Sequence, residues 1–206
     1  MIGLILKDLL YLKRTGKVLI AMLIFYVILM ANSKRAFSDT LLSSFVVMLT
    51  MILCSNAFGY DEVAKWKLYE LSFPVSKKQI VLARYLLALS FATVLTLLSF
   101  LLEWMIFRGV TADSLAVLSV SWGISLFLCS ILFPLFYRYG MQKARLILLL
   151  LLLIPSLGIA LFQAISIPAL SESSVLLLIQ LFPVFAALVF FVSFLISCRV
   201  YASKDN

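Results

Sequence analysis

The sequence contains no histidine and few acidic residues, with 9 Asp and Glu among 206 residues. Without histidine, Ser-His catalytic pairs, histidine-ligated metal sites and the most common general base are all excluded. Only 13% of the residues are charged and 65% are hydrophobic, whereas a soluble domain is typically about a quarter charged and about half apolar. The three cysteines, Cys54, Cys129 and Cys198, are odd in number and widely spaced. They indicate apolar packing residues and neither a disulfide framework nor a metal site.

A phosphate-binding loop is also missing. The one Gly-Lys pair, Gly16-Lys17, is followed by Val18 instead of serine or threonine, and Tyr11 stands where the earlier glycine would be needed. We therefore expect this chain not to hydrolyse nucleotide itself and to hold no cofactor or metal of its own.

The sequence is instead rich in apolar runs long enough to cross a bilayer, which takes about 20 helical residues. They predict an all-α membrane protein with six transmembrane helices and no sizeable soluble domain. The predicted spans are Lys17–Ala31, Thr40–Tyr60, Lys78–Phe107, Ser114–Tyr137, Arg145–Pro168 and Val175–Cys198. The first is short, and the NSKRAFSD segment after it is expected to be a loop that contains part of its last turn. Serine or aspartate before the following apolar runs predicts helix N-caps.

The basic residues predict the orientation in the membrane. With a cytoplasmic N-terminus, all 17 Lys and Arg except Lys34, Arg35 and Arg108 fall on the cytoplasmic side, as the positive-inside rule requires. Both termini are then cytoplasmic. The net charge of +8 therefore reflects topology, and because no basic patch is interleaved with aromatic residues, membrane lipid and not nucleic acid is the predicted partner.

The N-terminal residues show a different pattern. Apolar residues follow one helical face: Ile2, Ile5, Leu6, Leu9 and Leu12. Lys7, Tyr11 and Arg14 fall on another face. Residues 1–16 are predicted to form an amphipathic elbow helix that lies along the cytoplasmic interface. The alternative is that residues 1–13 extend the first span.

Polar residues within the spans are few. Ionisable groups near mid-membrane would indicate an ion relay. None is predicted there, because Glu103, the deepest, is expected to reach the interface or Arg108. Uncharged polar residues occur in spans two and five: Ser43, Ser44, Thr50, Ser55, Asn56, Ser156 and Gln163. Most should bond to a carbonyl of their own helix or to a neighbouring helix.

A charged, aromatic segment, GYDEVAKWKLYELSFPVSKKQ, separates spans two and three. Its aromatic residues recur at helical spacing: Trp66, Tyr69 and Phe73. Pro74 ends this short helix, and the SKKQ sequence at 76–79 predicts a capping box that opens span three. From these residues alone two interpretations stay open. The segment is either an interfacial loop with solvated charges, or a folded projection that docks into a groove of a soluble protein.

The stretch DEVAKWKLYELSFPVSKKQIVLARYL resembles the permease subunits of ABC type-2 exporters. The family's pattern begins with an acidic residue and a short helix. An LPVS(R/K)-like turn comes next, and then a third span with basic residues at its start. Here Phe73 precedes the proline where leucine is frequent. With the elbow and the six spans, the resemblance covers essentially the whole chain. It implies one permease domain over residues 1–206, an elbow at 1–16 and a cytoplasmic coupling segment at 61–77.

The resemblance also implies a half-transporter without enzymatic activity of its own. Two such permeases, as a homodimer or with a related permease, would pair in the bacterial cytoplasmic membrane. Each would engage one of two cytoplasmic ABC ATPase subunits, which bind the ATP and magnesium. The cargo would be an amphipathic peptide, an antimicrobial or a hydrophobic small molecule.

Two groups of site residues follow from the resemblance. The residues that would couple to the ATPase are Asp61, Glu62, Lys65, Trp66, Tyr69, Glu70 and Phe73. Spans two and five generally face the dimer axis in this family. Their polar residues therefore become candidates for the translocation path: Ser44, Thr50, Asn56, Ser156 and Gln163.

Two alternatives come from other classes of protein. A membrane substrate-capture subunit should carry elaborate polar loops on its outer side, whereas the elaborated loop here is cytoplasmic. A sensor or immunity protein would act without export and without an ATPase.

Overall fold

The computed structural model of the chain describes residues 7, 8, 10, 16–31, 35–64, 76–144, 146, 147 and 172–203. Within these ranges the chain forms five long helices: α1 Gly16–Ala31, α2 Arg35–Val63, α3 Lys77–Phe107, α4 Ala112–Tyr139 and α5 Glu172–Ala202. Residues 141–144 begin a further helical segment after α4. Most of the predicted elbow, most of the predicted coupling segment and nearly all of the predicted fifth span lie outside the described residues.

Four of the described helices, α2 to α5, are long and apolar enough to cross a membrane. Hydropathy predicts all four, with ends that agree to within a few residues. The first span is confirmed only as a shorter apolar helix, with its apolar stretch at Leu19–Met30, because a full crossing needs about 20 residues. The protein is therefore a helical, multi-pass membrane protein.

The segment between α1 and α2 corrects one prediction. Residues 35–39, the RAFSD part of NSKRAFSD, are not in a loop that carries the last turn of the first span, because α1 ends at Ala31 and α2 already begins at Arg35. Two polar residues near the start of α2 make contacts within the protein. Ser38 is buried, and Asp39 accepts a hydrogen bond from the Ser114 hydroxyl of α4 at 3.1 Å.

The helix starts follow ordinary capping chemistry. The predicted capping box is confirmed: the Gln79 amide N–H donates to Ser76 Oγ at 3.4 Å, and the Ser76 N–H donates to Gln79 Oε1 at 3.1 Å. α4 is capped by Thr111 and not by the predicted serine or aspartate, since the Thr111 hydroxyl accepts from the Ser114 N–H. Asp113 instead lies in the first turn of α4, where a negative charge favours the helix dipole.

The helices form a bundle with two distinct ends. We call the end that carries Asp61, Lys77 and Arg199 the basic end, and the opposite end the far end. α4 packs most extensively against α5 and also contacts α2 and α3. Near the basic end, aromatic residues from these helices fill the core: Phe58, Tyr85, Phe133, Phe136, Tyr137 and Phe190.

Hydroxyl groups join three helices inside this core. The Tyr85 hydroxyl of α3 lies 2.8 Å from Ser193 Oγ and 2.7 Å from Ser197 Oγ, both on α5. Ser193 in turn donates to the Ser130 carbonyl of α4. Such bonds hold helices together where apolar contact with lipid and with protein is nearly equivalent.

Gly123 sets the distance between α4 and α5. A Cβ atom at this position would lie 3.1 Å from the Phe182 ring and 3.1 Å from Pro183 Cα. The neighbouring backbone therefore occupies the space that any side chain would need. A small residue here permits the close approach that helices in membranes favour.

Gly123→Leu should destabilise the bundle by about 1–3 kcal/mol, because the larger side chain forces α4 and α5 apart. Gly109→Leu is the matched control, since nothing lies within 4 Å of a Cβ atom there. Thermal unfolding of both variants in detergent checks this. Equal midpoints for the two variants would contradict the close contact.

Candidate functional site

Four charged side chains meet at the basic end, and we call them the ion cluster: Lys7, Asp8, Asp61 and Arg84. Arg84 Nη1 lies 3.2 Å from Asp8 Oδ2, and Arg84 Nη2 donates to Asp61 Oδ2. Lys7 Nζ lies 2.7 Å from Asp61 Oδ1 and 3.5 Å from Asp8 Oδ1. The cluster thus connects the N-terminal residues, the end of α2 and the first turns of α3.

The ion cluster is largely removed from solvent. The side chains of Arg84 and Asp8 are only 6% and 3% exposed. Burial of a charge is tolerated when opposite charges and hydrogen bonds compensate it, and two cations face two carboxylates here. The ring of Phe58 adds a further contact, 5.0 Å from the Arg84 guanidinium carbon, within the range of a cation–π interaction.

Burial affects the acidity of the N-terminal carboxylate. It raises the pKa of Asp8 above its ordinary value, and this effect outweighs the lowering by Arg84 and Lys7. Arg84 and Lys7 therefore offset only part of the desolvation penalty on the Asp8 carboxylate.

The helix geometry explains how the ion cluster assembles. The capping box fixes the start of α3, and Arg84 then lies about 10 Å further along the helix axis at 1.5 Å per residue. Asp61 stands in the last turns of α2, which ends at Val63. Because α2 and α3 run antiparallel from this end, their charged residues reach the same depth.

Glu62, next to Asp61, makes a separate contact. Its Oε2 accepts a hydrogen bond from the Met141 backbone N–H at 3.2 Å, at the start of the helical segment after α4. Gly140 allows the sharp turn between α4 and the helical segment that follows it. Its φ of 80° and ψ of 172° lie in a region of backbone space that residues with a side chain rarely adopt. Gly59 permits the close approach, since a Cβ atom there would lie 2.8 Å from Met141 Sδ.

Only some of the predicted coupling residues lie within the part of the chain that the structure describes. Asp61 and Glu62 lie side by side at the end of α2 and contact other parts of the protein. The remaining five, Lys65, Trp66, Tyr69, Glu70 and Phe73, lie outside the described residues.

The predicted path residues on α2 occupy three different settings. Ser44 lines a groove of about 740 Å³ between α2 and α4 toward the far end, and Asn56 lines a cavity of about 730 Å³ at the basic end. Thr50, between them, is buried and donates to the Val46 carbonyl at 2.7 Å. Ser156 and Gln163 lie outside the described residues.

The two spaces differ in character. The groove is mainly apolar, with Val47, Met48 and Val120 on its walls and Asp113 at its rim. The Ser44 hydroxyl is bonded to the Thr40 carbonyl at 2.8 Å. The cavity at the basic end is lined by the end of α2 and by the segment that begins at Met141, and it includes Glu62.

The sequence patterns missed Asp8 and misjudged Arg84. The positive-inside count places Arg84 among the cytoplasmic charges. The sequence predicts that Glu103 is the ionisable residue that lies deepest within a span. In the structure Arg84 lies farther from an end of α3 than Glu103 does. Glu103 is itself buried within the protein, so it does not extend into the interface. The available signal was a cation flanked by apolar residues in IVLARYLL, which demands a carboxylate partner.

Among the described residues, no group of three or more His, Cys, Asp or Glu could hold a metal ion. Cys54 and Cys129 are buried free thiols 3.8 Å apart in the core between α2 and α4. The ion cluster and the Glu62 contact connect helix ends, which is the property needed to transmit movement.

Arg84→Gln should destabilise the protein by about 3–5 kcal/mol, because it leaves two buried carboxylates with only Lys7. The matched control is Lys78→Gln, an exposed position on the same helix, for which a change within about 0.5 kcal/mol is expected. Denaturant unfolding in detergent micelles measures both. Equal stability of the two variants would show that the ion cluster does not hold the helix ends together.

Comparison with known proteins adds to this geometry. Searches of curated proteins and of solved structures gave no match. A family model described as "ABC-2 family transporter protein" matches residues 3–202, which is nearly the whole chain. Families of this type supply the transmembrane subunit and associate with an ABC ATPase. The chain belongs to the ABC-2 family of transporter proteins.

Proposed function

We propose that this chain is the permease subunit of an ATP-driven exporter, with six spans in one permease domain, both termini cytoplasmic, and an N-terminal elbow helix. Two permeases, identical or related, form the translocation path in the bacterial cytoplasmic membrane. Each engages a separate cytoplasmic ABC ATPase, which binds ATP and magnesium and hydrolyses the nucleotide.

One observation carries the proposal: the predicted coupling segment begins at Asp61, which is a member of the ion cluster. Asp61 is bonded to Arg84 of α3 and to Lys7, so the first residues of the segment are fixed to two other elements. A loop that only joined two spans would need a few polar residues. A fixed base is what a projection needs if it receives force from a soluble partner.

The docking surface proposed for the ATPase is the aromatic and charged stretch that follows this base. Aromatic anchors surrounded by charged residues are typical of interface hot spots. The anchors are Trp66, Tyr69 and Phe73, with Lys65 and Glu70 around them.

The proposed cargo is an amphipathic peptide, an antimicrobial or a hydrophobic small molecule. The groove beside Ser44 supports this class, since its walls are apolar and its rim carries Asp113. The path is proposed to run along α2 and the predicted fifth span, and it includes Ser44, Asn56 and Gln163.

Trp66→Ala should weaken attachment of the ATPase by roughly 30-fold, the effect of losing one hot-spot anchor. The matched control is Trp104→Ala, an exposed tryptophan near the far end of α3, which should leave attachment unchanged. Purification of the tagged chain from its native membrane in mild detergent, with mass spectrometry of the proteins that copurify, measures both variants against the unaltered chain.

An ATPase that copurifies with the unaltered chain and is lost only in Trp66→Ala would support the proposal. Failure of the unaltered chain to retain any ATPase would contradict it. A sensor or immunity protein that acts without export would then be the better interpretation.

Ser44→Trp should reduce export, because the indole fills the groove between α2 and α4, while the ATPase remains attached. Ser90→Trp is the control: Ser90 is also exposed on its helix, and its hydroxyl also bonds to a carbonyl of its own helix, that of Leu87. Resistance of cells to a panel of amphipathic antimicrobials provides the readout. Equal resistance in the two variants would exclude the groove from the path.

A further inference from the structure

We propose that Asp61 and Glu62 are positioning residues that divide the force arriving at the coupling segment between three parts of the permease. Asp61 directs it to the N-terminal helix and to α3, and Glu62 directs it to the helical segment that begins at Met141. The inference rests on the proposed function and assigns these two carboxylates a role inside the permease, in place of direct contact with the ATPase.

The Asp61 connection is charged and largely buried. One carboxylate oxygen, Oδ1, bonds to Lys7 at 2.7 Å, and the other, Oδ2, bonds to Arg84. The side chain is only 22% exposed. Both oxygens therefore already have cationic partners within the chain, and little of the carboxylate surface is left for a soluble protein.

Asp8 completes this connection from the N-terminal side. It contacts Arg84 at 3.2 Å and is next to Lys7 in the sequence, so two neighbouring residues bind two different helices. A movement of the end of α2 relative to the N-terminal residues would separate buried opposite charges. Because that separation is costly at low dielectric, these elements move as one body.

The Glu62 connection reaches a different part of the chain. Its carboxylate accepts the Met141 N–H at 3.2 Å, just after the glycine turn at Gly140. This segment leads directly toward Arg145–Pro168, the predicted fifth span. The Glu62 side chain is exposed, so this contact is weaker than the buried ion cluster.

Asp61→Asn removes the negative charge from both ion pairs, and Glu62→Met removes the oxygen that accepts the Met141 N–H, each with little change in size. We expect the ATPase to copurify with both variants, while permease-stimulated ATP hydrolysis and export fall by roughly 2- to 30-fold. The larger loss is expected for Asp61→Asn. Lys78→Gln, an exposed charged residue near the start of α3, is the matched control and should behave like the unaltered chain.

Hydrogen–deuterium exchange provides a readout that does not depend on the ATPase. Asp61→Asn should increase exchange in peptides from residues 1–15, and Glu62→Met should increase it in peptides that cover 139–147. Each substitution should leave the other region nearly unchanged. A purely local loss of stability would instead increase exchange around α2 alone.

A double variant separates stability from force transmission. Asp61→Asn combined with Arg84→Gln removes one charge of each sign, so the remaining Lys7 and Asp8 balance. Most of the stability lost in Arg84→Gln alone should return, whereas export should stay low because the connection is still absent. Recovery of export along with stability would overturn the proposal.

Other results would also overturn it. Loss of the ATPase in Asp61→Asn and Glu62→Met to the extent seen in Trp66→Ala would make both carboxylates part of the docking surface. Unchanged exchange in both peptide regions would show that the two connections do not exist. If the unaltered chain retains no ATPase, the proposed function fails, and the exchange experiment still decides whether the connections exist.

Discussion

Arg84 carries a charge that cannot be neutralised at any physiological pH, and α3 places it about two turns from the start of an apolar helix. A guanidinium in that position requires carboxylates nearby, since an uncompensated buried charge would cost several kcal/mol. Asp61 and Asp8 meet this requirement from two different directions. The need to compensate one arginine therefore brings together the end of α2, the start of α3 and the N-terminal residues, which apolar packing alone would leave free to slide.

The remainder of the bundle is held by less directional contacts. Apolar side chains fill the core, and hydroxyl groups such as that of Tyr85 join helices without any net charge. The tight contact at Gly123 fixes α4 against α5 by shape. These contacts tolerate small rotations of whole helices, whereas the ion cluster fixes the relative positions of helix ends. The basic end is thus the firmly connected part of the molecule, and it is also the end from which the predicted coupling segment leaves.

The sequence predicted the spans α2 to α5 well, because hydropathy depends on local composition and the bilayer sets the length. It also predicted the capping box at Ser76, in which all the required atoms lie within four residues. The loop predicted before Thr40 was wrong, since the buried position of Ser38 and the Asp39 contact with Ser114 depend on α4, which is distant in sequence. The ion cluster could not be paired for the same reason. Residues 8, 61 and 84 share no sequence period. Only Arg84, an isolated cation in an apolar run, indicated that a carboxylate partner was needed.

If the proposed function holds, these connections also explain how the chain follows a separate ATPase. Force has to enter at a segment that is firmly attached to the helices that move, or it is lost in bending of the loop. Asp61 attaches that segment through two buried ion pairs, and Glu62 attaches it through one exposed hydrogen bond. The stronger attachment leads to α3 and the N-terminal residues, and the weaker one leads to the segment after Gly140. Under the proposed function, a difference in strength of this kind would let one set of helices follow the coupling segment closely while another separates from it, as an alternating-access transporter requires.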